Sequence, residues 1–149
     1  MENQITSIIS FSINEELFAL DTLKVRHILE MENITKVPNT KAYFLGVIKL
    51  HGNIIPVVDL RLMMGISQPE ITADTAIIVV SHDDSNASLI GMVVDNVKEV
   101  VSTEASELKE TVFDGSTTGL IASFEGTIHE GDNFIHVINL NEVIHQIEN

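Results

Sequence analysis

Apolar residues in this chain fall at alternate positions or in short unbroken Val/Ile runs, separated by polar turns, and the helical stretches between them are brief. Ile5–Ile13 sets Ile9, Phe11 and Ile13 against Ser10 and Ser12, the alternation of a strand with one buried face. Asn14-Glu15-Glu16 reads as a polar turn into a second strand, Leu17–Leu20, so the two form a hairpin. Asp21 caps a helical turn, Thr22–Val25, before a strand through Arg26–Met31. Ile34–Val37 is short and stopped by Pro38, and Asn39 or Thr40 starts a brief helix through Phe44.

The stretch Gly46–Gly65 carries the plainest local signals. Val47–Leu50 and Ile54–Val58 flank the turn His51-Gly52-Asn53, a hairpin pattern. Pro56 has no N–H to donate, which predicts an edge strand or a bulge. Asp59 suits the N-cap of a short helix, Leu60–Met64, and Gly65 the left-handed residue that ends it. Beyond an exposed connector, Ile66–Asp74, the runs Thr75–Ser81 and Leu89–Asp95 form another hairpin around His82–Ala87. A helical turn at Asn96–Val97 leads into Lys98–Val101, and Ser102 or Thr103 caps a helix to about Leu108. Val112–Thr118 is loop, Gly119–Phe124 and Phe134–Leu140 are strands, and Asn141–Ile147 is the closing helix. Nine or ten short strands with only short helices predict an all-β fold of small barrels.

Three segments recur in the same order. Val25–Leu29 matches Val97–Val101, Gly46-Val47-Ile48 matches Gly119-Leu120-Ile121, and Asn53–Leu60 matches Asn133–Leu140, at offsets of 72, 73 and 80. The repeat predicts one domain of two intertwined lobes, with approximate repeat halves 1–66 and 75–149 and a groove between them.

Composition narrows the function. An apolar fraction of 44% over 149 residues supports a buried core. No run approaches the roughly 18 apolar residues of a membrane span, and MENQITS lacks the basic start of a secretory signal. There are no cysteines, so disulfides and thiolate sites are excluded and a cytoplasmic address is expected. The net charge of −14 disfavours nucleic acid. Residues 1–61 hold seven acids and six bases, whereas 62–149 hold fifteen acids and two bases. If the halves are the lobes, one is near neutral and the other strongly acidic.

Catalysis finds no footing in the motifs. None of the six histidines has H-E-x-x-H spacing, and His129-Glu130 has no second ligand nearby in sequence. Asp59 is better read as a cap than a base, because its counterpart in the repeat is Asn139, which caps but cannot act as a base. No catalytic residue, metal site or cofactor is expected.

The run Gly46-Val47-Ile48-Lys49-Leu50-His51-Gly52-Asn53-Ile54-Ile55-Pro56-Val57-Val58-Asp59-Leu60-Arg61 resembles the Gly-Val-Ile-Asn-Leu-Arg-Gly-x-Ile-Ile-Pro-Val-Val-Asp-Leu-Arg pattern of the CheW family, the chemotaxis coupling proteins. Ile34-Thr35-Lys36-Val37-Pro38 and Ile90–Val97 match that family's Ile-Thr-x-Val-Pro and Val-Gly-Leu-Val-Val-Asp-x-Val, so the resemblance spans about Ile8 to Ile144. It implies two SH3-like five-stranded β-barrels around a shared core. It also implies a non-catalytic adaptor between the regulatory domain of a CheA-type histidine kinase and the cytoplasmic tip of methyl-accepting chemoreceptors, recruited to receptor arrays at the inner face of the membrane without inserting in it. By the same resemblance, the receptor helix would lie in a groove lined by Ile9, Thr22, Val25, Ile28 and Val97 with Lys98 at its edge, and the kinase would meet Ile34, Lys36 and Val37. For each Val or Ile the competing reading is burial in the core.

Two positions depart from the family. His51 stands for the usual Arg and His27 for a frequent Glu, residues that can pair near the receptor site. The expectation is that the two histidines are close, and that partner binding weakens as both protonate below about pH 6.5. Two other readings fit the pattern: a divergent adaptor that links kinase regulatory domains without the receptor contact, and a double barrel that holds a small apolar ligand.

Overall fold

The computed structural model describes residues 7–38, 40–67, 69–81, 88–102, 124–130 and 132–148. Strands β1 (Ser7–Ile13) and β2 (Glu16–Asp21) form the first hairpin, and a 3₁₀ turn, Thr22–Lys24, leads to β3 (Val25–Glu30). Then come β4 (Phe44–Leu50), β5 (Asn53–Asp59), α1 (Leu60–Met63), β6 (Ala76–Ser81) and β7 (Leu89–Val94). The chain continues through β8 (Asn96–Ser102), β9 (Phe124–Glu130), β10 (Asn133–Ile138) and α2 (Leu140–Glu148).

Both tight hairpins whose turns are described use two-residue loops with positive φ at both positions, Asn14-Glu15 and His51-Gly52. That is the turn whose twist matches the flanking strands. The second turn is therefore His51-Gly52, and Asn53 already pairs with Leu50.

The strands form two five-stranded sheets, ordered β8-β1-β2-β10-β9 and β3-β6-β7-β5-β4. Matched strand by strand, the two orders are the same arrangement, each with one parallel pair, β2–β10 and β7–β5. Each sheet takes strands from both halves of the sequence, so the near-neutral and acidic stretches do not map onto separate sheets. One core sits inside each sheet: Ile48, Ile55, Val57, Ile77, Val79 and Val93 in one, and Ile8, Ala19, Ile128, Ile135 and Val137 in the other. The largest core lies between them, joining Phe11, Phe18 and Ile138 to Val58, Ile78, Val80 and Met92, with Leu60 of α1 and Val143 of α2. Burial on both faces explains why β6 and β7 read as unbroken apolar runs.

The repeat is more regular than the sequence suggests. Phe44 faces Val58 and Gly46 faces Val57 across a register shift; Phe124 faces Ile138 and Gly126 faces Val137 across the same shift. The structural counterpart of Gly46 is therefore Gly126, at the offset of 80 shared by β5 and β10, and Gly119–Ile121 lie outside the described residues. Gly46 itself has φ +146°, and a Cβ there would overlap the Thr35 carbonyl.

Other local expectations change as well. Pro56 lies on an inner strand, between β4 and β7. Val47, opposite Pro56, donates its N–H to the Thr35 carbonyl and accepts the Thr35 N–H, so the Val47–Pro56 pair is not hydrogen-bonded and the proline nitrogen faces away from β4. Pairing with β7 starts only at Val57, so no ladder bond is lost. Lys41–Tyr43 is a turn, closed by the Phe44 N–H on Lys41 O, rather than a helix. Asn96 opens β8 directly, paired with Ser12, with no helical turn. The expected helix at 103–108, the loop at 112–118 and the turn at 82–87 lie outside the described residues.

Candidate partner-binding site

Of the expected site residues, His27 and His51 are distant in sequence and are brought into ring contact. β3 and β4 are opposite edges of one sheet, yet the sheet curls enough for the β4–β5 turn to reach β3. There the two imidazoles stack with centroids 5.6 Å apart and an interplanar angle of 22°. His51 is exposed and sits in the left-handed conformation, φ 51°; His27 is half-buried opposite Val79. The proximity expected from sequence is present.

Around this pair the other residues separate into groups. Ile28, next on β3, is 46% exposed, and Val25 is half-buried against the shared core. Val97 occupies the equivalent place on β8 and packs on the same core. Thr22 is half-buried and hydrogen-bonds the Ser7 side chain and carbonyl, which ties the 3₁₀ turn to β1. Ile9 is 5% exposed and belongs to the core, with little surface to offer a partner. Lys98 is not brought to the histidines: it lines a polar cavity of about 1060 Å³ with Ser10, Asp95 and Glu99, on the face of β1 opposite Ile9.

Among the residues expected to meet the kinase, Ile34 packs half-buried on the core of the β3–β7 sheet, while Lys36 and Val37 are exposed. Thr35 holds this segment beside β4 through its paired bonds to Val47. Ile54, absent from the expected set, is 67% exposed at the start of β5. Its alternation with buried Ile55 was the available signal.

The main electrostatic feature that motif reading missed is Arg61, 2% exposed. Its Nε and Nη2 donate to the two Asp59 carboxylate oxygens, and its Nη1 donates to Glu70 O and Asp95 Oδ1. Asp95 Oδ2 accepts the Asn14 N–H, so the network joins α1 to the β1–β2 turn of the other sheet. Burial works against the guanidinium charge, but the Asp59 and Asp95 carboxylates outweigh it and hold the pKa above the ordinary arginine value. Asp59 also caps α1 by accepting the Arg61 N–H, and Asn139 Oδ1 accepts the Glu142 N–H at the equivalent place.

Two further histidines have local roles. His129 stacks on Phe134, with centroids 4.7 Å apart. His136 stacks on Phe124 and hydrogen-bonds Thr127. Among the described residues no three His, Cys, Asp or Glu side chains converge as metal ligands would. Among those residues, too, no helix is long and apolar enough to cross a membrane.

The family model of the CheW-like domain matches residues 7–148. The chemotaxis protein CheW of Bacillus subtilis is 29% identical over 136 residues, covering 91% of this chain and 85% of that protein. Its counterpart from Helicobacter pylori is 28% identical over 144 residues, covering 95% and 82%. The crystal structure of the scaffolding protein TtCheW from Thermoanaerobacter tengcongensis superposes with a TM-score of 0.78 at 32% identity, covering 93% of this chain and 87% of that one.

Proposed function

The chain belongs to the CheW-like family, and from that premise we propose how it works: as a non-catalytic adaptor that couples chemoreceptors to a CheA-type histidine kinase in chemosensory signalling. The observation that carries this is the family match over nearly the whole described chain, together with the likeness to a solved scaffolding protein.

The finer reading is that two separate surfaces serve two partners. The cytoplasmic tip of a methyl-accepting chemoreceptor lies along β3 and the inter-sheet seam, against Val25, Ile28 and Val97, with Thr22 and the His27–His51 pair at the rim. Exposed apolar and rim-charged residues of this kind suit a helix laid in a groove. The kinase regulatory domain meets Ile34, Lys36 and Val37. Ile9 and Lys98 are secondary in this reading, one as core and the other as part of the polar cavity. The adaptor works in the cytoplasm, recruited to receptor arrays at the inner face of the membrane.

Co-sedimentation with a kinase regulatory domain and a receptor-tip fragment, separately and together, tests the reading. The expected result is binding of each alone and a three-component complex together. Ile28→Asp should lose the receptor fragment and keep the kinase domain, and Val37→Asp the reverse. Loss of neither partner on either substitution would move both surfaces elsewhere.

A further inference from the structure

Resting on the receptor reading above, we infer that the rim formed by β3 and the β4–β5 turn takes an acidic, amphipathic helix, with a carboxylate of that helix seated over the His27–His51 stack. Two independent observations single out this pair. The rings are stacked across a junction between an edge strand and a turn. In addition, His51 occupies a left-handed position that Asn or Gly fills at lower cost.

The charge around the pair points to the partner's chemistry. Residues 22–54 carry five Lys and Arg against two Glu in a chain of net −14, and of these Lys24 faces Glu125 and Lys41 lies over Tyr43, away from the pair. Arg26 and Glu30 share β3 with His27, and exposed Lys49 precedes the turn on β4. Of the strands paired with these, β6 carries no charged residue, and the single acid of β5, Asp59, is buried against Arg61. Exposed Ile28 on β3 and Ile54 on β5 add apolar contact on the same sheet. A basic rim with apolar footholds fits a helix that is apolar on one side and acidic beside it.

This assignment fixes the sign of the pH dependence. Repulsion between two protonated rings acts in the free chain as well as in the complex, so by itself it does not weaken binding. Affinity follows pH only through protons taken up or released on binding. A carboxylate over the stack favours the charged rings and draws protons in, so binding tightens as pH falls. An apolar cover would desolvate the rings and give the opposite slope.

The test uses the full chain and two probes: a hairpin fragment of a chemoreceptor signalling tip, and the same fragment with its Asp and Glu replaced by Asn and Gln. Binding of the first should be about fivefold tighter at pH 5.5 than at pH 7.5, the scale of an exposed ion pair, and the difference should shrink in 0.5 M salt. The amide fragment should show no such gain. Neither should a His27→Gln/His51→Asn variant, in which Asn keeps the left-handed turn and an unchanged urea midpoint confirms the fold. A flat profile, or weaker binding at pH 5.5, overturns the inference while leaving the receptor reading intact. No binding of the first fragment at either pH overturns both.

Discussion

Arg61 shows how much of this molecule's order rests on single side chains whose partners are distant in sequence. Asp59, read from sequence as a helix cap, does cap α1, and that role was legible because cap and helix are adjacent. The guanidinium was not legible as a cross-link, because Glu70 and Asp95 lie 9 and 34 residues away. Removing it strands the buried Asp59 carboxylate without a counter-charge. Arg61→Ala should therefore cost about 3–5 kcal/mol by urea denaturation. Arg61→Lys should recover only part of this, since an ammonium cannot span both Asp59 oxygens and Glu70 O. A loss under about 1 kcal/mol for the alanine variant would mean that the network contributes little. Glu15 is the opposite case. It is exposed and held at φ 72°, in a turn where glycine is favoured. Glu15→Gly should raise stability by about 0.5–1 kcal/mol, visible as a higher urea midpoint at unchanged slope.

At the scale of elements, what was legible is what depends on neighbours in sequence: the hairpins, the period-2 faces and the caps. What was not legible depends on which strand lies alongside. Pro56 reads as an edge or bulge residue until one knows that Val47 directs its own bonds to Thr35. The correspondence of Gly46 with Gly126 is hidden because Val47 and Ile48 resemble many apolar pairs, while register alone identifies the glycine. Register also sets the chemistry of β10. His136 takes the place that Pro56 holds on β5, and its ring lies 5.1 Å from Phe124 and 5.8 Å from Phe18, with Nδ1 at 3.0 Å from the Thr127 hydroxyl. Desolvation lowers its pKa below the ordinary imidazole value, against a weaker opposing pull from Glu16. The folded chain thus resists a proton that the unfolded chain accepts. This contribution to stability is fully present above the ordinary imidazole pKa and is lost as pH falls from there toward the lower folded value. Urea denaturation between pH 7.5 and 5.5 should show the decline, and His136→Gln should flatten it even if the variant is less stable throughout. An equal slope in both proteins would assign the decline to other groups.

The sequence reading expects two intertwined units, but it does not say which strands they exchange. β6 and β7, from the second half, are the inner strands between β3 and β5 of the first; β1 and β2, from the first half, lie between β8 and β10 of the second. Which hairpins cross was illegible because β1–β2 and β6–β7 are similar apolar hairpins, and only the three-dimensional pairing assigns each to its sheet. It also decides how charge is displayed. Among the described strands, the acids of residues 62–149 (Glu99, Glu125 and Glu130) fall on β8 and β9 of one sheet, because β6 and β7 carry no charged residue, and the strands those two join, β3 and β4, carry Arg26 and Lys49. An adaptor built this way cannot be divided into one half per partner, since neither half contains the centre of its own sheet. Residues 1–66 alone lack β6 and β7, and β3 then has no strand to pair with. Residues 75–149 alone lack β1 and β2, and β8 is left without its partner. Each fragment should therefore show no cooperative urea transition by circular dichroism. An equimolar mixture should regain one, because the break falls in the connector 67–74 and every strand pair is restored. The mixture should also regain binding to the receptor-tip fragment, because the proposed receptor surface uses β3 and β8 held against the shared core. A cooperative transition in residues 1–66 alone would show that the first half forms a sheet without the second, and that the exchange is dispensable.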